Sequence, residues 1–146
     1  MADSAKQVLL AMLARREHCR FELARKLQHY PFSAAEITTA LDELAANNSQ
    51  SDQRFTEAYI RMRYNKGYGP CYIHQQLTAY QLDDALIVPV LQDYDWFALA
   101  IAVRQKKFGN SLPNTPKEKA KQMRFLQYRG FDHEQIKQAI LGIIDS

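Results

Sequence analysis

Apolar residues recur along this chain at one set of offsets, and the set is repeated. Leu27 is followed at +5, +10 and +14 by Phe32, Ile37 and Leu41; Leu77 by Leu82, Ile87 and Leu91; Leu126 by Phe131, Ile136 and Ile140. The three series start 50 and then 49 residues apart, a period that marks a tandem array of small helical units. Ser33, Asp83 and Asp132 occupy the same place in each series and are N-cap residue types. Ser33 with Glu36 makes a capping box that Asp132 with Gln135 resembles, whereas Asp83 has Leu86 at that position and lacks the reciprocal half. Each copy also sets an apolar residue before the cap and another four after it, Phe32 with Ile37, Leu82 with Ile87 and Phe131 with Ile136, which is a hydrophobic staple.

The remainder of each unit reads as two further helices. In the first unit the spacing predicts a helix from about Ser4 to Arg16, with Val8, Leu9, Met12 and Leu13 on one face. Its counterparts begin near Asp52, with Phe55, Tyr59 and Met62, and near Asp95, with Trp96, Ala100 and Val103. Second helices start near Cys19, at Pro70, and after Thr115-Pro116-Lys117-Glu118, where threonine N-cap, proline N1 and glutamate N3 agree. The third unit then has a longer first loop, Gly109 to Asn114. No alternating apolar and polar run bounded by hairpin signals appears, so the expectation is an all-α chain. It consists of three tandem three-helix repeats over residues 1–50, 51–94 and 95–146, forming an elongated, curved array. Units of this size bury little apolar surface alone, so neighbours should share some of it.

The densest punctuation is Lys66-Gly67-Tyr68-Gly69-Pro70, with two glycines and a proline within four residues. A glycine-rich turn before a helix can cradle phosphate, but this one lacks the Gly-Lys-Ser/Thr ending and the three-glycine spacing of such loops. It reads as a connector: Gly67 stops one helix, Gly69 lies near the next N-cap and Pro70 sits at N1.

Charge adds a direction to this picture. The net +3 hides a gradient: nine basic against four acidic side chains after residue 100, where the first fifty residues balance at six and six. Such asymmetry points to a polyanionic partner, or to one carrying a polyanion. The candidate binding residues are Arg104, Lys106, Lys107, Lys117, Lys121, Arg124, Tyr128 and Arg129, with Arg61, Arg63 and Lys66 as a weaker second set. On a helix Lys117, Lys121, Arg124 and Tyr128 fall on one face, a row of cations ending in an aromatic that suits a phosphate backbone with stacking. His18, His29, His74 and His133 have no metal-ligand spacing, and Cys19 and Cys71 are isolated, so neither a metal, a cofactor nor a disulfide is expected. The pairs Asp83-Asp84 and Asp93 with Asp95 sit at helix starts and are explained by capping; nothing marks an enzyme. No apolar run approaches the ~20 residues of a membrane span and the start lacks signal-peptide character, so the expectation is a cytoplasmic monomer.

Several of these residues, taken in order, carry a resemblance. Arg15-Arg16-Glu17-His18 with Glu22-Leu23 and Lys26-Leu27, Arg54-Phe55, Glu57-Ala58-Tyr59, Lys66 to Pro70, Lys106-Lys107-Phe108-Gly109 and Arg124 to Phe131 together resemble the RecX family, from about Ala5 to Ile144. The resemblance implies a string of three-helix repeats that binds the RecA recombinase filament on DNA. It further implies damping of strand exchange, ATP hydrolysis and co-protease activity, and so modulation of recombinational repair and the SOS response. Contact with single- or double-stranded DNA would be moderate and non-specific. The chain departs from the family pattern at Asn47 to Asp52, which leaves the packing of repeat one on repeat two without the usual support. Tyr72, His74 and Gln76 stand where basic residues are common, so the middle repeat should hold polyanions less well. Cys19 for a serine N-cap and Gln81 for a glycine should each cost about 1 kcal/mol or less. The alternatives are a tandem helix-turn-helix-like DNA-binding protein without filament specificity, and an α-solenoid scaffold that binds protein alone.

Overall fold

Helices form at each of the predicted starts, and nine of them lie among the described residues, 2–142 of the computed structural model. They are α1 (Ala5–Arg15), α2 (Arg20–Leu27), α3 (Ala34–Ala46), α4 (Asp52–Asn65), α5 (Pro70–Ala79), α6 (Asp84–Leu91), α7 (Trp96–Phe108), α8 (Pro116–Tyr128) and α9 (His133–Leu141). Ile144, the far end of the resemblance, lies outside the described residues. The capping boxes Ser33–Glu36 and Asp132–Gln135 are both closed, and Ser4–Gln7 adds one that the repeat pattern does not show. Asp83 makes no side-chain cap bond.

The closest helix packing runs inside each group of three: α1 on α3, α4 on α6, α7 on α9. The architecture is therefore the expected all-α tandem repeat. Leu27, Leu77 and Leu126, the first residues of the repeated series, are each fully buried, one per core. The first core also holds Leu9, Leu23, Leu41 and Leu44; the third holds Ala100, Phe131, Ile136 and Ile140. The middle core is the shared one. Around Phe55, Tyr59, Ile60, Ile73 and Ile87 it takes in Cys19 from before α2 and Trp96 from α7. Trp96 lies edge-on to Tyr64, 5.4 Å between centroids, and its Nε1 donates to Leu91 O at 2.8 Å.

The two joints between repeats are built from helix N-termini. Cys19 stands at the N-cap of α2 but makes no cap bond with its own side chain. The amide of Arg20 donates instead to Asp52 Oδ1 at 2.8 Å, a carboxylate from the first turn of α4. Buried Gln50 ties the same place, its Nε2 donating to Asp52 Oδ1 at 2.9 Å and to His18 O at 3.3 Å. Arg54 Nε pairs with Glu17 at 2.9 Å while its Nη2 donates to Asn48 O at 2.7 Å. Two expectations are thereby corrected. The segment Asn47 to Asp52 is the joint rather than a gap in it, and the cap that Cys19 fails to give is supplied across the joint. At Gln81 the expected cost has its cause: φ is +59°, the left-handed region that glycine enters freely.

The second joint works on the same principle with backbone acceptors. At the start of α5, Gly69 N donates to Arg129 O at 2.7 Å and Cys71 N to Gly130 O at 2.9 Å, both carbonyls from the turn between α8 and α9. The approach needs bare backbone on both sides. A Cβ on Gly69 would lie 2.5 Å from the Gly130 carbonyl, and one on Gly130, whose φ is +94°, would lie 2.3 Å from Tyr72 Cβ. Lys66 to Pro70 is thus more than a link that sets the angle of its own repeat. It is the surface on which repeat three docks.

His18, buried beside the first joint, sets a pH dependence. Its Nδ1 lies 3.0 Å from Arg16 O and its Nε2 3.2 Å from Lys26 Nζ, an arrangement satisfied by the neutral ring with its proton on Nδ1. Burial lowers the His18 pKa, with the positive charges of Arg16 and Lys26 acting the same way against the Glu22 carboxylate. Burial pushes Glu22 up, but the Arg16 contact at 2.6 Å outweighs it and holds that carboxyl low, below the imidazole window.

Gly130→Ala should lose roughly 2–4 kcal/mol in urea unfolding, from left-handed strain plus overlap with Tyr72. Gly109→Ala, where a Cβ would meet nothing within 4 Å, should lose only the strain. Asp52→Ala should cost about 1–2 kcal/mol, because Arg20 N and Gln50 lose their acceptor together. The unfolded chain binds a proton at His18 more tightly than the folded one, so stability is complete above the ordinary imidazole pKa. It should decline as pH falls from about 7 to about 5, and His18→Gln should flatten that decline in denaturation curves taken across the window.

Candidate nucleoprotein-binding surface

The carboxyl end of α7 carries Lys106 and Lys107 in its last turn, where cations complement the helix dipole. Both are exposed, and they face Lys66 at the end of α4 and Arg129 at the end of α8 across the second joint. These four cations rim a groove of about 360 Å³ whose floor is Leu99, Ala102, Val103 and Phe125. Residues that are 63 positions apart in the chain meet here: Arg129 Nη1 donates to Lys66 O at 3.1 Å.

Aromatic rings interleave with the cations. Arg129 lies over Phe125 at 5.3 Å and over Tyr68 at 5.2 Å; Arg63 lies over the other partners of that ring set, Tyr59 at 5.4 Å and Tyr72 at 5.7 Å, and over Tyr68 itself at 5.3 Å. Lys107 Nζ stands 5.7 Å from Phe125, whose ring meets the edge of Phe108 at 5.4 Å, and Lys121 Nζ stands 5.9 Å from Phe108. The result is a continuous ladder of cation and ring from α4 through the joint to α8. Partly desolvated cation–π contacts of this kind are each worth about 0.5–2 kcal/mol and hold the charged ends in place. Burial pushes the Tyr59 phenol up, so it stays a neutral hydroxyl that accepts from Arg63 Nε at 3.3 Å.

The row on α8 faces outward. Lys117, Lys121 and Arg124 are exposed, and Tyr128 is 84% exposed, the most open of the large hydrophobic side chains among the described residues. Lys121 joins this row to the ladder; Lys117, Arg124 and Tyr128 extend it along the helix. Arg61 is exposed on α4 but, two residues from Arg63, points away from the ladder. Arg104 leaves the candidate set. It is 1% exposed, with Nη1 donating to Ser111 O at 3.2 Å, so its guanidinium pins the long α7–α8 loop from inside. The Gln122 amide oxygen lies 3.5 Å away, and among the described residues Nε has no acceptor. Charge counting alone does not separate such an internal strut from a surface cation.

Four rings, Tyr68, Tyr72, Phe108 and Phe125, belong to this surface and are missing from the residues picked by charge. Three of them carried the signal of adjacency, since Tyr68 lies two residues from Lys66, Phe108 follows Lys107 and Phe125 follows Arg124, whereas Tyr72 has no cation beside it in sequence. No group of His, Cys, Asp or Glu that could hold a metal ion occurs among the described residues. Among the same residues no single helix is long and apolar enough to cross a membrane.

Known proteins match this chain in sequence and in fold. Family models described as the first, second and third three-helix domains of RecX match residues 5–44, 51–91 and 93–140 in that order. "Regulatory protein RecX" of Acinetobacter baylyi is 42% identical over 135 residues, 92% of this chain and 85% of its own length. The protein of the same name from Legionella pneumophila is 42% identical over 139 residues, 94% of this chain and 93% of its own. In fold, the crystal structure of RecX from Lactobacillus salivarius superposes with a TM-score of 0.80 at 19% identity, covering 94% of this chain and 93% of that one. With three domains matched in sequence order and relatives this similar over nearly their whole length, the chain belongs to the RecX family of regulatory proteins.

Proposed function

We propose that this protein binds a RecA filament on DNA and restrains it, acting by occupancy rather than by catalysis on strand exchange, ATP hydrolysis and co-protease activity. Membership of a family of regulators named RecX gives the reading its direction. The observation that carries it to particular residues is the cation–aromatic ladder spanning the joint of the second and third repeats. A monomer whose repeats, taken as residues 1–50, 51–94 and 95–146, each touch a successive protomer would bind through several weak contacts acting together. Lys117, Lys121, Arg124 and Tyr128 would meet the phosphate backbone, moderately and without base readout.

The composition of the third helices speaks against the helix-turn-helix alternative. A recognition helix reads the major groove with donors such as Arg, Lys, Asn and Gln. Here α3 has no Lys or Arg and carries Glu36, Asp42 and Glu43; α6 has none and carries Asp84; α9 has Lys137 next to Glu134 on its exposed face. The cations lie instead at the ends of first helices and along a second helix, outside the positions from which such a unit reads bases.

Recombinase ATPase on single-stranded DNA, titrated with the wild type and with Lys117→Glu/Lys121→Glu/Arg124→Glu, tests the reading. The wild type should inhibit, and the triple variant should need about tenfold more protein or greater for the same effect. A wild type that does not inhibit removes the proposal. Tight binding to naked duplex with a steep salt dependence would put the DNA-binding alternative in its place.

A further inference from the structure

The geometry points to a distinct ligand for the groove at the second joint: an acidic peptide segment of a partner protein, with one large apolar side chain on the floor and flanking carboxylates on the rim. This rests on reading the chain as a partner-binding regulator and names the chemistry of the partner at one place. Lys66, Lys106, Lys107 and Arg129 surround the opening, and no carboxylate is among the residues that line it. Such a rim is complementary to Asp or Glu side chains, and Arg129 is already held for the task by its bond to Lys66 O. The aliphatic floor of Leu99, Ala102 and Val103, bounded by the occupied ring of Phe125, rewards an apolar anchor, the usual centre of a peptide contact.

A nucleic-acid strand fits the same groove poorly. A base needs an open ring to stack on, and the Phe125 ring is already met by Lys107, Arg129 and the edge of Phe108. Tyr68 is taken likewise, between Arg63 and Arg129 and stacked on Tyr72 at 4.6 Å. Leu99, Ala102 and Val103 offer the polar edge of a base no hydrogen bond. The open aromatic of this region is Tyr128, outside the groove on α8. Phosphate and base therefore belong with the α8 row, and a protein segment belongs with the groove.

Fluorescence anisotropy with the full chain tests this. The probes are a labelled oligoglutamate peptide with a central phenylalanine, the same peptide with central alanine, and labelled oligothymidylate. The phenylalanine peptide should bind about tenfold more tightly than the alanine one, since an apolar anchor in a fitted pocket is worth at least that factor. Ala102→Gln fills the floor from an exposed position without changing charge. It should erase the preference for phenylalanine while leaving oligothymidylate binding within about twofold. Equal affinity of the wild type for the two peptides overturns the proposal, and that comparison needs no variant. Loss of oligothymidylate binding in a folded Ala102→Gln, in step with loss of the peptide, overturns it in favour of nucleic acid. No recombinase is present in these measurements, so a chain that inhibits the recombinase yet treats the two peptides alike refutes the groove assignment and leaves the inhibition reading standing.

Discussion

A helix start leaves amides without partners, and this chain satisfies those of two second helices from the repeat that follows. The positive end of α2 receives Asp52 from the first turn of α4. That of α5 receives the carbonyls of Arg129 and Gly130. Donors that a lone three-helix unit would leave to water are thereby converted into joints. Each joint is short, directional and polar, and therefore fixes orientation in a way that a patch of apolar contact between small cores would not. The apolar sharing is confined to the middle core, where Cys19 and Trp96 enter from either side. The middle repeat is thus the one that both neighbours help to complete.

The second joint also makes the proposed binding surface. Because Gly69 and Gly130 allow backbone to meet backbone, the end of α8 comes against the end of α4, and Arg129 reaches both Tyr68 and the carbonyl of Lys66. Cations from three helices then stand round one apolar floor. They repel one another, and the rings between them offset part of that repulsion. The surface has two chemistries side by side, a groove whose rings are already occupied and an α8 row that ends in the open ring of Tyr128.

The helices themselves were legible because capping and apolar spacing are local. Ser33, Asp132, Thr115-Pro116 and the series from Leu27, Leu77 and Leu126 each state their role within fifteen residues, and the structure buries all three leucines. Of the surface, the outward row Lys117, Lys121, Arg124 and Tyr128 was legible for the same reason, since one helix places it. Arg104 was misplaced because a cation's direction depends on what its helix packs against, and here that is the loop through Ser111.

Sequence alone therefore determined the number, order and type of the helices, the three-fold repetition and the bias of charge toward the end of the chain. The helices rest on interactions between residues a turn or two apart, and the repetition and the charge bias are read directly from the order of residues. Tertiary structure alone decided that Asn47 to Asp52 is a joint, that Asp52 compensates for Cys19, and that Lys66 lies beside Arg129. Those facts depend on hydrogen bonds between residues more than thirty positions apart. No local pattern encodes them, because an amide at a helix start donates to any acceptor the fold brings near.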